Sequence, residues 1–139
     1  MKNTLISLIV PVYNVEKYVD YLLKDEKENT SRIVDMGIKG GKRAELICRV
    51  LESKTVEPYG ELTLAEIELL TGRHHQIRVQ MAHAGMSLLG DRKYNPEDSS
   101  GLPLGLCSCH LVFRHPVTGK KLEFQVTPKG ECFAGFPNI

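Results

Sequence analysis

Alternation of apolar and polar side chains is the strongest pattern in the chain, and it begins at Ala44. Through Glu52, Leu46, Cys48 and Val50 fall on one side of an extended segment, with Glu45, Ile47, Arg49 and Leu51 on the other. Pro58-Tyr59-Gly60 supplies turn chemistry. A second alternating run then sets Leu62, Leu64, Glu66 and Glu68 against Thr63, Ala65, Ile67 and Leu69, so the pattern predicts an antiparallel hairpin. From His74 to Ala84 the period lengthens. Ile77, Met81 and Ala84 share one helical face, and Gly85 stands where a helix stop belongs.

Upstream, Leu5 to Val12 is almost continuously apolar and predicts a buried strand that stops near Pro11. Val15 to Lys24 carries Val15, Tyr18, Val19, Leu22 and Leu23 at helical spacing, which predicts a helix. The polar stretch Lys24 to Arg43 ends in Lys39-Gly40-Gly41-Lys42-Arg43 and predicts a flexible connection. Downstream, Asn95 to Gly105 is rich in Pro, Gly, Ser and Asp and predicts a loop. Leu106 to His115, Pro116 to Gly119 and Lys121 to Val126 then read as strand, turn and strand, with Cys107 and Cys109 alternating along the first of them. The fold class is α+β, with a mostly antiparallel sheet and few helices.

Composition narrows this only a little. The 139 residues hold 18 Lys+Arg against 17 Asp+Glu, 42% hydrophobic residues, four Cys and no Trp. That describes one globular domain able to bury roughly 68% of its unfolded surface. The four scattered cysteines fit reduced thiols in a cytoplasmic protein better than a disulfide framework. Neither a signal peptide nor a membrane span is expected, because Pro11, Glu16 and Lys17 interrupt the opening apolar run. Charge is unevenly placed: Glu45, Glu52, Glu57, Glu61, Glu66 and Glu68 crowd the first hairpin. Arg73, Arg78, Arg92, Lys93, Arg114, Lys120 and Lys121 give the following half a basic character compatible with nucleic acid.

The densest chemistry lies in Thr71-Gly-Arg-His-His-Gln-Ile-Arg-Val-Gln80, where a strand gives way to a helix. Backbone N–H groups at a helix start favour anions, and Arg73 and Arg78 add guanidinium forks suited to phosphate or carboxylate. An exposed amphipathic helix with a basic polar face would produce the same pattern. For a metal the five histidines are badly spaced: His75 and His83 would stand about 12 Å apart along a helix. There is no HExxH motif or paired CxxC motif, and no metal or cofactor is expected.

The run Leu62 to Tyr94, which includes Thr-Gly-Arg-His-His-Gln-Ile-Arg and Leu-Gly-Asp-Arg-Lys-Tyr, closely resembles the C-terminal part of the RluA-type RNA pseudouridine synthases. Asp20 to Asn29, Ala44 to Leu51, Leu111 to Gly119 and Leu122 to Phe124 extend the resemblance over about Asp20 to Phe136. It implies isomerisation of uridine in structured RNA, rRNA or tRNA, without cofactor: an aspartate attacks, the glycosidic bond breaks, and the base rejoins through carbon. The resemblance implies that Arg78 is the partner of that aspartate. Beside it, Arg73, His74, His75 and Gln76 would face RNA phosphate or the flipped nucleotide.

The nucleophile of those enzymes sits in a His-Arg-Leu-Asp type motif, and no His-Arg-x-Asp occurs in these 139 residues. Asp91 matches a position of the family that is not the nucleophile. The chain therefore reads as a truncated synthase carrying one lobe of the cleft. A noncatalytic RNA-binding or vestigial module is the alternative. Ile6 to Tyr18, with Val-Pro-Val-Tyr-Asn, resembles the opening strand of family 2 glycosyltransferases, although no Asp-x-Asp metal motif follows. The domain reading is accordingly 1–19 for that opening and 20–139 for a partial synthase domain. Half a domain should expose apolar surface, which predicts a homodimer through a sheet edge or the uncovered face.

Overall fold

The computed structural model describes residues 15–139, so the apolar run Leu5 to Val12 and nearly all of the glycosyltransferase-like opening lie outside the described residues. Four strands form one sheet: β1 (Val15–Asp25), β2 (Thr30–Val34), β3 (Lys42–Val56) and β4 (Gly60–Leu69), in spatial order β2-β1-β3-β4. One helix, α1 (Gln76–His83), follows. β5 (His110–Arg114) and β6 (Lys121–Gln125) then make a separate two-stranded ribbon, and Glu131–Phe133 forms a short 3-10 turn. Every strand pairing among the described residues is antiparallel, and the α+β class stands.

The predicted hairpin is β3 and β4, turning through Glu57 to Tyr59, with Leu46, Cys48 and Ala44 fully buried on one side of β3. A bulge at Leu51 shifts the register between Val50 and Glu52. Further along, β4 buries Leu62, Thr63 and Leu64 in succession.

Two predictions upstream of the hairpin are corrected. Val15 to Lys24 is not a helix but β1, hydrogen-bonded to β2 on one side and β3 on the other. Tyr18 and Leu22 are four apart, a spacing that serves a helix and a strand equally. The β-branched and aromatic residues Val15, Tyr18, Val19 and Tyr21, together with two paired neighbours, decide for the strand. Lys24 to Arg43 is not a flexible connection either. Asp25 Oδ1 accepts from the backbone N–H groups of Lys27 and Glu28 at 3.0 Å, and Asn29 takes a left-handed φ of 51°, which folds the polar run into a hairpin turn leading into β2. Asp35 to Gly41 then make a second ordered turn.

The helix is shorter than predicted, starting at Gln76 because His75 sits in the left-handed region at φ 53°, and Gly85 (φ 80°) ends it as expected. Met81 is buried among Leu46, Cys48, Met86 and Leu88, with Tyr18 and Ile77 beside them, and Val79 packs with Leu22 and Ala44. The helix thus lies on one face of β1, β2 and β3. A second cluster joins Leu62 and Leu64 to Leu89, Leu102 and Phe136, anchoring the C-terminal segment. The Asn95 to Gly105 loop is present and pinned from within: Asp98 accepts from Gly90 N–H at 2.7 Å and from the Ser100 hydroxyl at 2.6 Å. The ribbon strand begins only at His110, so Cys107 and Cys109 precede it, although Cys109 O accepts one ladder-like bond from Val126 N–H at 2.8 Å. All four cysteines are free thiols. Among the described residues no helix is long and apolar enough to cross a membrane.

Candidate active-site half and nucleic-acid interface

The turn between β4 and α1 is built by Gln76. Its side chain is only 3% exposed. Its Oε1 accepts from the Thr71 hydroxyl at 2.8 Å and from the Arg73 backbone N–H at 2.9 Å, while its Nε2 donates to Glu45 O at 3.0 Å. Thr71 Oγ1 in turn accepts from Glu45 N–H at 2.9 Å. Gln76 therefore locks the start of the helix to β3, and the expectation that it faces RNA is corrected: both ends of its amide are spent inside the protein.

Arg78 lies two residues further along the helix, about 200° around its axis from Gln76. Its Nε and Nη2 donate to the two carboxylate oxygens of Asp91 at 3.0 and 2.8 Å, and Asp91 is 1% exposed. The same carboxylate accepts from Tyr94 N–H at 3.2 Å, and the Arg78 guanidinium stands 5.2 Å from the Tyr94 ring centroid. A planar fork on a carboxylate beneath an aromatic ring has one orientation, which a lysine could not reproduce. Asp91 takes two of the five N–H donors of the fork. Its bond to Asp91 raises the Arg78 pKa against the opposing effect of burial, so the group is a permanent cation.

His74 and His75 stack with ring centroids 3.8 Å apart. His75 Nδ1 lies 2.6 Å from the Tyr94 hydroxyl, which accepts from Ser31 N–H at 3.0 Å. His74 Nδ1 lies 2.8 Å from Ser31 Oγ, and His74 Nε2 lies 3.1 Å from Asn29 Oδ1. Neutral rings satisfy these contacts, with the His74 proton on Nε2. Electrostatics agree. Burial lowers the pKa of both rings; Lys24, Lys93 and Arg78 lower His74 further, and His74, Arg78 and Lys93 lower His75 further.

A histidine more acidic in the folded state binds fewer protons than it does unfolded, so stability rises with pH across the interval between its folded value and the ordinary one. Thermal unfolding should therefore show Tm falling as pH drops from about 7.5 to about 5, through the ordinary histidine value near 6.5. Replacing His75 with Gln should flatten that fall. An equal slope in the variant would show that His75 is not a source of it.

Of the five residues marked from sequence, His74, His75 and Arg78 converge with Tyr94 on one patch. Arg73 is exposed beside β3, donating from Nε to Arg43 O at 2.9 Å. Asn29, Ser31, Lys93 and Tyr94 were not marked, yet they complete the patch, Lys93 Nζ donating to Asn29 O at 2.8 Å. Asp91, Lys93 and Tyr94 could have been found in the Gly-Asp-Arg-Lys-Tyr run, but Asn29 and Ser31 sit on a hairpin whose sequence gives no strand signal. Among the described residues no group of His, Cys, Asp and Glu is placed to hold a metal ion.

Comparison with known proteins places the chain in a family. The sequence profile of the RNA pseudouridylate synthase family matches residues 8–83, more than half of the chain. The chain belongs to that family. It is 32% identical over 120 residues to ribosomal large subunit pseudouridine synthase D of Zymomonas mobilis, covering 80% of this chain and 36% of that protein. It is 37% identical over 107 residues to an uncharacterized RNA pseudouridine synthase, YlyB, of Bacillus subtilis, covering 73% of this chain and 31% of the relative. Human RNA pseudouridylate synthase domain containing 1 shares the fold with a TM-score of 0.68 at 20% identity, over 86% of this chain and 50% of that structure. The chain thus spans about a third of the length of the curated synthases it matches. Nothing in these comparisons supports the glycosyltransferase resemblance, and the family match begins at residue 8, inside that opening.

Proposed function

We propose that the chain supplies the guanidinium half of an RNA pseudouridine synthase site acting on uridine in cytoplasmic rRNA or tRNA. The observation that carries this reading is Arg78, fixed by Asp91 and Tyr94 at the edge of a patch bearing Lys93, His74 and His75. A nucleophilic carboxylate must remain ionised in a partly dry cleft, and an adjacent fixed guanidinium favours that form. Asp91 does not fill the role, because its two oxygens are buried and already paired with Arg78. With no His-Arg-x-Asp in the sequence, the attacking carboxylate belongs to the other side of the cleft. Arg73, Lys93 and Arg43 would meet phosphate, and the stacked pair of neutral histidines would offer an outer ring face to an extruded base.

RNA binding is the part of this function the chain can show by itself. Filter retention of a tRNA or rRNA transcript over a series of salt concentrations should give a linear log–log plot. Arg73→Ala should weaken binding and reduce the slope by about one phosphate's worth of counterion release. Unchanged affinity and slope would remove this patch from RNA contact. Release of tritium from 5-tritiated uridine RNA by the chain alone would show that one of its own carboxylates is the nucleophile.

A further inference from the structure

A cleft of about 710 Å³ opens beside β2, whose outer edge pairs with no other strand among the described residues. Residues 31–35 all line it, together with Ile38 from the following turn, Val79 and His83 of α1, and Tyr94. Successive side chains of a strand point to opposite faces, so an unbroken run of residues lines one cleft when the cleft meets the backbone edge-on. Part of that edge is already spent. Ser31 N–H donates to the Tyr94 hydroxyl at 3.0 Å, away from β1, and in the alternating antiparallel ladder Ile33 likewise turns its N–H and C=O outward, into the cleft. Ile33, Ile38 and Val79 make the walls partly apolar. Arg32 and Asp35 add a guanidinium and a carboxylate that have no partner among the described residues.

Two features choose the ligand. An added peptide strand needs a run of free backbone groups, but Tyr94 occupies the edge at Ser31, and the Asp35 carbonyl accepts from Ile38 N–H at 3.3 Å. Between them is left the one donor and one acceptor of Ile33, which matches the edge of a base. The cleft also shares Ser31 and Tyr94 with the stacked histidines, since Ser31 Oγ lies 2.8 Å from His74 Nδ1 and the Tyr94 hydroxyl 2.6 Å from His75 Nδ1. We propose that this cleft is a second nucleobase site, taking an unpaired guanine that neighbours the target uridine in the same RNA strand. Its place beside a target uridine rests on the proposed function. Guanine is chosen by its Watson–Crick edge, a carbonyl oxygen followed by two adjacent N–H donors. Ile33 N–H meets the carbonyl and Ile33 C=O the ring N–H, which leaves the exocyclic amino group for Asp35, a carboxylate that only accepts. Adenine, cytosine and uracil have no second adjacent donor to offer. Arg32 meets the phosphate.

The test is methyl and amide NMR of the 139-residue chain, titrated separately with GMP, IMP, AMP, CMP, UMP and inorganic phosphate. GMP is expected to shift the Ile33, Ile38 and Val79 methyl groups and to move the Ile33 amide proton downfield, saturating at millimolar concentration. IMP, which lacks only the amino group, should bind about tenfold more weakly. Asp35→Ala should bring GMP down to the level of IMP and leave IMP unchanged, whereas Met36→Ala, next in sequence but outside the cleft, should leave both unchanged. Absence of a methyl response to GMP overturns the inference, as do equal affinities for all five nucleotides. Shifts reproduced by inorganic phosphate overturn it too, leaving a phosphate site only. The outcome is separable from that of the proposed function. GMP binding as described, with transcript binding unchanged by Arg73→Ala, keeps the guanine site but removes its place beside a target uridine. No GMP binding, with transcript binding weakened by Arg73→Ala, removes the guanine site and keeps the RNA patch.

Discussion

Alanine at Arg78 is expected to cost about 3 kcal/mol of folding stability, read as a lower urea midpoint with the slope of the transition unchanged. The reason is the carboxylate left behind. Asp91 is 1% exposed, and removal of the fork takes a charged partner from both of its oxygens. Lysine at Arg78 keeps the charge but cannot donate to both oxygens at once, and should fall between parent and alanine. Exchanging both partners for apolar residues, Arg78→Met with Asp91→Leu, should cost less than Arg78→Ala alone, because no buried charge is then unpaired. A loss under about 1 kcal/mol for Arg78→Ala would mean that water reaches Asp91 and the pair behaves as a surface salt bridge. The same experiment bears on function. Loss of RNA contact in an Arg78 variant is interpretable only where the protein is shown to be folded, and for that reason Arg73 is the better probe of binding.

Gly90→Ala should be at least as damaging, about 3 kcal/mol or more. A Cβ built on Gly90 would stand 2.1 Å from Pro103 O, 2.7 Å from Pro103 C and 2.9 Å from Leu102 O, all of them backbone atoms, and its φ of 79° is left-handed. Something in the backbone must move. The neighbouring contacts show what: Gly90 N–H donates to Asp98, Gly105 N–H donates to Leu89 O at 2.7 Å, and Asp91 is the next residue. The substitution therefore pushes on the carboxylate that holds Arg78. Gly85→Ala is the matched control. Its φ is 80°, but a Cβ there meets nothing within 4 Å, so only the left-handed cost of about 1 kcal/mol applies. Equal losses at the two positions would show that the close approach of Pro103 relaxes without cost.

The β3–β4 hairpin was legible because its alternation is long and bounded by turn residues, and the helix because Gly85 closes a clear apolar face. Val15 to Lys24 was not, since Tyr18 and Leu22 satisfy both periods and only the pairing of β1 with two neighbours separates them. β2 has just Ile33 and Val34 as apolar residues, too few to rise above its polar surroundings. At the site, residue types singled out Arg78 but not what holds it. Asp91 follows 13 residues later, beyond the helix and a buried loop, and no local rule connects the two. Gln76 misled for a related reason: a polar residue at a helix start is usually solvated, and this one is consumed by Thr71, Arg73 and Glu45.

α1 has eight residues, about two turns. A helix of that length has no stability of its own in water, since nucleation outweighs the few bonds it can add. Gln80, fully buried, reaches Asp20 on β1 at 2.9 Å, Gln76 reaches β3, and Met81 and Val79 sit in the cores under the sheet. The element carrying Arg78 thus cannot fray by itself and must open together with β1 and β3, as one cooperative unit. An arginine mounted this way has little local play. Its position is as durable as the domain, and any movement a binding partner requires at this patch has to come from the partner.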